Sequence, residues 1–278
     1  MILIADSGST KTDWCVSAEG KQLQRIATIG LNPFFLQEEA IGEEILSSLL
    51  PELQTSTFDA LYFYGAGCLP EKVSMMQNAL GKYLEVKTIE VNSDMLGAAR
   101  GLSGRNPGIV CILGTGSNSC YYDGEKMLSN VSPLGFILGD EGSGAVLGKI
   151  LVGDLLKNQL PAGLKEKFLQ EFDLSPSMII ERVYRQPFPN RFLASLSPFL
   201  LRNIENAAVR SLVFNSFRSF LMRNVMQYDY KRYPIYFIGS IAYHYRDILE
   251  EAVLSCGMQL GNIMQNPMEG LLKYHQFL

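Results

Sequence analysis

The chain opens on four apolar residues, ILIA at 2–5, then alternates apolar and polar positions through about 12–18 and 22–28. The alternation is interrupted by the turn Glu19-Gly20-Lys21. Period-two patterning around a short glycine turn predicts a hairpin and a third strand. Strand-like runs recur near 59–64 and 85–91, and the helix-period stretches QEEAIGEEILSSLL and PEKVSMMQNALGKYL lie between strands. Another helix is predicted from Ser93. The segment GLSGRNPG at 101–108 is dense in turn residues and marks a boundary. The pattern then restarts, with strands near 109–113, 118–122 and 126–131 and mostly helical sequence over about 142–230. The strand IYFI, a helix from Ile241 and a short last helix near Pro267 complete it. Strands alternating with helices predict an α/β fold with mixed sheets.

The restart is also an echo. Residues 2–10, ILIADSGST, set above residues 110–118, VCILGTGSN, share four apolar positions, a small or acidic one, a hydroxyl, glycine, serine and a polar residue. Both continue into a β-like run and a turn, WCVSAEGK and SCYYDGEK. Two related halves follow, each opening with a hairpin whose tip is rich in Gly, Ser and Thr. In the first tip, SGSTKT at 7–12, Lys11 is preceded by Thr10, whereas a Walker loop has glycine before its lysine and a helix after it. A plain β-turn explains the tip as well. As a pair, the tips suit anion-binding concavities of backbone N–H groups, with Thr10 and Thr115 adding hydroxyls, that face each other across a cleft and hold a polyphosphate from both sides.

Three further stretches carry chemistry. In NSDMLGAARG at 92–101, Asp94 stands at or near the first turn of a helix. It is either a capping residue or a carboxylate at the carboxyl end of a strand, where α/β sheets place ligands and where it could take a proton from an attacking hydroxyl. In SPLGFILGDEGSGAVLGKIL at 132–151, Asp140 and Glu141 precede a helix, either as acids favoured by its dipole or as ligand contacts. In YFIGSIAYHY at 236–245, Gly239 and Ser240 form a strand–helix turn that can admit a flat group such as a base.

Composition narrows the classes. At 278 residues the chain can bury a full core in one or two domains. A net charge of -4 and the lack of a basic run argue against nucleic acid as a partner. No apolar run approaches the roughly 18 residues of a membrane span, and MILIAD does not read as a secretory signal, so a cytoplasmic location is expected. Five scattered cysteines without CxxC spacing predict free buried thiols, and the two histidines, His244 and His275, predict structural or exposed roles.

Taken in order, these motifs resemble the actin-like ATPase superfamily of sugar kinases, Hsp70 and actin. Within it the chain is most similar to the BadF/BadG/BcrA/BcrD ATPase family, which includes N-acetylglucosamine kinase. The match runs nearly end to end, and LGTGSNS together with GDEGSG is its specific part. The resemblance implies two actin-like (ribonuclease H-like) domains with mixed sheets flanked by helices and an interdomain cleft. The first would span 1–105, with a C-terminal helix at about 267–278 packing back on it, and the second 106–266 with a helical insertion. It implies ATP and Mg²⁺ as cofactors and a small-molecule sugar as substrate, with phosphoryl transfer to a hydroxyl of N-acetylglucosamine or a related amino sugar.

Carried over residue by residue, the resemblance places Gly8, Thr10, Lys11, Gly114, Thr115 and Gly116 at the ATP phosphates and Gly239 and Ser240 at the nucleoside. Asn32, Asn118, Gly135 and Asp140 would bind the sugar, Asp94 would bind its reacting hydroxyl and act as base, and Asp6 would orient Mg²⁺ through water. Two departures stand out. Pro133-Leu134-Gly135 replaces a Gly-Trp-Gly-like segment of the sugar pocket, and NIENAAVR at 203–210 lacks a glycine expected near the adenine. Two other functions are open: an ATPase that energises a partner protein, and a nucleotide-responsive binding protein without turnover. The former would use paired cysteines at a dimer interface, which this chain lacks. The oligomeric state is open, a homodimer included.

Overall fold

A computed structural model describes every residue except Ser9, Phe277 and Leu278. The first half begins with strands β1 (Ile2–Ser7), β2 (Lys11–Ala18) and β3 (Lys21–Ile29), then helix α1 (Glu38–Glu44), which a π-turn continues through Ile45–Leu49. Strand β4 (Thr57–Gly65), helix α2 (Val73–Gly81), strand β5 (Glu85–Ser93) and helix α3 (Asp94–Ser103) follow. Strands β1 and β2 pair antiparallel around the predicted turn, β2 and β3 likewise, and β4 and β5 add in parallel. The sheet order is β3-β2-β1-β4-β5. Its core is built from alternating strand positions such as Leu3, Ala5, Trp14, Val16, Leu61 and Phe63, closed by Ile41, Ile45, Met76 and Leu80 from the helices.

The second half repeats this plan. Strands β6 (Gly108–Leu113), β7 (Ser117–Tyr122) and β8 (Met127–Val131) precede helices α4 (Gly135–Leu138) and α5 (Gly144–Leu156). The helical stretch continues as α6 (Leu164–Glu171), α7 (Pro176–Tyr184), α8 (Pro189–Leu196), α9 (Pro198–Arg202) and α10 (Ala207–Arg223). Strand β9 (Ile235–Ile238), helices α11 (Ser240–His244) and α12 (Arg246–Ser255), strand β10 (Leu260–Met264) and helix α13 (Met268–His275) end the chain. The second sheet runs β10-β9-β6-β7-β8, with β6, β9 and β10 parallel. Renumbered from its own start, this is the order of the first sheet, so the nine-residue echo marks a repeat of a whole five-stranded unit. The architecture is α/β, two mixed five-stranded sheets flanked by helices. The sequence pattern had no strand at β10, because LGNIM mixes glycine and asparagine with only partly buried apolar residues.

The chain divides into two compact units. One comprises Met1–Pro107, Tyr122–Met127 and Asn266–Leu278, the other Gly108–Tyr121 and Leu128–Gln265. Helix α13 therefore belongs to the first unit, where Met268 and Leu271 bury against Ile4, Cys15 and Tyr64. It covers a shorter span than the expected 267–278, and residues 277 and 278 lie outside those described. The second unit has the larger core, with Ile109, Cys111 and Leu113 of β6 and Ile235 and Phe237 of β9 packed against Leu147, Phe217 and Phe220 of the helices.

Candidate functional site

In the first unit the parallel register aligns the carboxyl ends of three strands. Ser7 pairs with Gly65 and Gly65 with Ser93, so the loops leaving β1, β4 and β5 start on one line. Asp6 and Asp94 both stand on this edge, where parallel sheets bind ligands. Ser93 caps α3, its hydroxyl accepting the Leu96 N–H at 3.2 Å. Asp94 is therefore the first helical residue, not the cap, and its carboxylate is left with the adjacent Met95 N–H at 2.8 Å. Among the described residues no cation pairs with it. Burial pushes its carboxyl up to about 6, opposed by backbone hydrogen bonds.

Asp6 lies close enough to feel that charge. Burial first, then the Asp94 and Asp13 carboxylates, raise it to about 7, against the weaker pull of Lys11 and Arg25. Asp13 is its cross-strand partner and forms an ion pair with Lys11 at 2.9 Å. The Asp94 and Asp13 carboxylates thus act on Asp6, but among the described residues no group of three or more acids, histidines or cysteines is placed to hold a metal ion directly. Lys11 reaches solvent while held by Asp13, Thr10 is exposed in the turn, and Gly8 donates its N–H to the Lys11 carbonyl at 3.0 Å.

Asn32 is buried at the start of the loop after β3. Its Oδ1 accepts the Phe34 N–H at 2.9 Å, which fixes the carboxamide and leaves Nδ2 without a partner among the described residues. The loop Gly65-Ala66-Gly67-Cys68 passes directly beneath: a β-carbon at Gly67, whose φ is +77°, would sit 2.1 Å from Asn32 Oδ1. Sequence reasoning missed this loop. Its signal was a Gly-Ala-Gly run closing a strand, the same punctuation that marked the other loops.

In the second unit the tip between β6 and β7 carries Gly114, Thr115 and Gly116. The first N–H groups of α5 hold it, Gly144 donating to the Gly114 carbonyl at 2.8 Å and Ala145 to the Thr115 carbonyl at 3.0 Å. Asp140 is buried over the same tip, its Oδ1 3.3 Å from the Ser117 N–H. Burial raises its carboxyl to about 6, lowered in part by that N–H. The backbone around it is strained: Leu134 has φ +62° and Asp140 φ +55°, both in the left-handed region. Asp140 N–H reaches back to the Pro133 carbonyl at 2.9 Å, so the Pro133–Gly135 segment and Asp140 are one folded piece. Gly135 is exposed at the start of α4. Glu141 points the other way, into an ion pair with Arg223 at 2.5 Å.

Asn118 accepts the Ser119 N–H at 2.9 Å and the Asn130 Nδ2 at 2.8 Å through its Oδ1, so its amide donor faces away from both. Gly239, with φ +116°, lies against the same tip, since a β-carbon there would fall 2.3 Å from the Leu113 carbonyl oxygen. The β6–β7 tip, Asp140 and the Gly239-Ser240 turn are thus assembled together in this unit, while Asp6, Lys11, Asn32 and Asp94 line one sheet edge in the other. A groove of about 510 Å³ between α5 and α10 is lined by Glu141 but by none of the residues assigned to sugar, nucleotide or metal.

No protein-family model and no curated protein matches the sequence. Solved structures do. A Porphyromonas gingivalis protein provisionally assigned as an N-acetylglucosamine kinase shares 55% identity over 100% of this chain and 99% of its own, with a TM-score of 0.98. A Chromobacterium violaceum protein with the same provisional assignment has 18% identity, 98% coverage of both chains and a TM-score of 0.78. A ROK family glucokinase from Streptomyces griseus, solved with glucose and AMPPNP, has 13% identity, coverage of 99% and 98% and a TM-score of 0.58. The latter two share the fold.

Proposed function

The chain belongs to the actin-like sugar kinase family of its Porphyromonas gingivalis relative, and on that premise we propose that it transfers the γ-phosphoryl group of ATP to a hydroxyl of an amino sugar, N-acetylglucosamine foremost. The observation that carries this reading is Asp94: an unpaired carboxylate, raised to about 6, at the carboxyl end of β5. A base of that affinity is deprotonated at neutral pH yet still holds a proton well enough to take one. In the proposed step the sugar oxygen forms its bond to the γ-phosphorus as the bridging bond to ADP breaks. The hydroxyl proton passes to Asp94.

Asn32 and Asp140 orient the sugar, Asn32 through its Nδ2 and Asp140 as an acceptor for a hydroxyl. Asn118 supplies another amide donor, and Gly135 a backbone group from the segment that Asp140 folds back on. Gly8, Thr10 and Lys11 in one unit and Gly114, Thr115 and Gly116 in the other serve the phosphates. Gly239 and Ser240 serve the nucleoside. Asp6 fits the role of holding the hydration water of Mg²⁺, which when bound neutralises phosphate charge. A partner-coupled ATPase with a cysteine-bound cluster is disfavoured, because Cys15, Cys68, Cys111 and Cys120 are buried, two in each unit.

A panel of sugars with ATP and Mg²⁺, read by phosphosugar formation, tests the assignment. Equal phosphosugar and ADP with N-acetylglucosamine is the expected result. ADP release indifferent to every sugar and raised by a partner protein would replace it with the ATPase reading. Asn32→Ala should weaken sugar binding roughly 5–150-fold with ATP affinity near wild type, as expected for one lost buried hydrogen bond. An equal loss of ATP affinity would remove Asn32 from the sugar site.

A further inference from the structure

Ser7 and Thr12 have no part in the reading above, yet both are fully buried at the root of the phosphate turn. They are register partners across β1 and β2, and their hydroxyl oxygens lie 2.7 Å apart. The protons can be placed. Thr12 donates to the Ile29 carbonyl at 2.8 Å, so the Ser7 hydroxyl donates to Thr12. The Leu31 N–H then donates to Ser7 Oγ at 2.9 Å, with a longer approach of 3.2 Å to Thr12. Beside this pair, Gly30 N–H reaches the Thr10 carbonyl at 3.0 Å, and Ala66 N–H the Ser7 carbonyl at 2.8 Å.

Two loops are thereby tied to one residue. Leu31 immediately precedes Asn32 and fixes its backbone, while Ala66 immediately precedes Gly67, against which the Asn32 carboxamide lies. Both supports of Asn32 end on Ser7, whose next residues form the turn assigned to phosphate.

We propose that the Ser7–Thr12 hydroxyl pair positions Asn32 and couples it to the phosphate turn, so that nucleotide and acceptor sugar each tighten the binding of the other. The proposal rests on the kinase reading and deepens it. A buried chain of four donors and acceptors has few alternative arrangements, so ordering the turn fixes Leu31 N–H, and with it Asn32. Linkage makes the effect reciprocal: nucleotide must tighten sugar binding by the factor by which sugar tightens nucleotide binding.

The test is calorimetric titration of N-acetylglucosamine with and without saturating Mg²⁺–AMPPNP, on wild type, Thr12→Val, Thr12→Ser and Ser7→Ala. Wild type should show a ratio of affinities within roughly 5–150, the usual range of coupling. Thr12→Val keeps the shape and removes the hydroxyl, so its ratio should fall toward one. Thr12→Ser restores the hydroxyl and should recover the wild-type ratio within about twofold. Ser7→Ala should behave as Thr12→Val does and serves if the valine variant does not fold. A wild-type ratio in Thr12→Val overturns the coupling, as does failure of Thr12→Ser to recover it, or loss of fold in both disruptive variants. Wild-type protein that neither binds nor phosphorylates N-acetylglucosamine overturns the kinase reading instead.

Discussion

Two partly buried polar clusters meet α3 in the first unit, one at Asp94 and one at Arg100, and they are built on opposite principles. Around Arg100, every strong charge has a mate. Its guanidinium bonds Glu90 and the Tyr64 hydroxyl, each at 2.8 Å, and Tyr64 in turn bonds His275 Nε2 at 2.8 Å. His275 stacks on Tyr62 with ring centroids 3.7 Å apart. Burial pushes the Glu90 carboxyl up, but bonds from Arg100 and Asn92 hold it below its ordinary value. Among the described residues only Arg100 Nε and His275 Nδ1 lack a partner there. Around Asp94 the reverse holds: burial pushes Asp94 up to about 6, and burial together with the Asp94 and Asp13 charges pushes Asp6 up to about 7. Only Asp13 has a close cation, in Lys11. The first cluster fastens α13 to the sheet. The second leaves Asp6 and Asp94 without a cation among the described residues, and that is what makes it the candidate site.

Substitutions can break this contrast. The largest effect is expected at Asp94. Asp94→Asn removes the proton acceptor and keeps the shape, so sugar-dependent ADP release should fall roughly 10²–10⁴-fold, the usual worth of a positioned base. Near-normal turnover would remove Asp94 from the chemistry.

The scaffold cluster should fail in acid. Burial first, then the Arg100 charge, lower His275 from 6.5 to about 4. Between those values the unfolded chain binds a proton that the folded one refuses, so stability falls as pH drops through 6.5 and levels off near 4. That interval is worth about 3 kcal/mol. The raised acids pull the other way, since the fold keeps their protons between 3.8 and 6–7 and gains stability as pH falls there. Comparing denaturant unfolding of wild type and His275→Gln from pH 7 to 4 isolates the histidine. The variant should lose less stability, and parallel curves would contradict the assignment.

A smaller effect sharpens the site. The sugar-saturated rate should decline below pH 6, about tenfold for each further pH unit, as Asp94 becomes protonated. A flat profile down to pH 5 would separate the titration from the chemistry.

How far these features could be read from sequence depends on how local their causes are. The hairpin tips, Asp94 and Asp140 were legible because turn residues and acids at strand ends sit within a few positions of one another. Strand β10 was hidden by weak alternation, although the order of the first sheet demands it. The Arg100 cluster was invisible: Tyr64 and His275 are 211 positions apart, and His275 alone reads as any buried or exposed histidine. Ser7 and Thr12 looked like ordinary turn hydroxyls, since the N–H that gives them a role belongs to Leu31.

One experiment bears most directly on the contrast: thermal melting of Asp94→Asn and Arg100→Met beside wild type at pH 8, without ligand. Removing a charge from the unpaired cluster should leave the melting temperature unchanged or raise it. Removing Arg100 takes the cation from Glu90, which keeps Asn92, and one partner from the Tyr64 hydroxyl, which keeps His275, a cost of about 1–3 kcal/mol or roughly 2–10 °C for a chain of this size. Opposite responses are the predicted result. A clear fall in both, with Asp94→Asn melting several degrees below wild type, would show that the acids serve the fold and contradict the account.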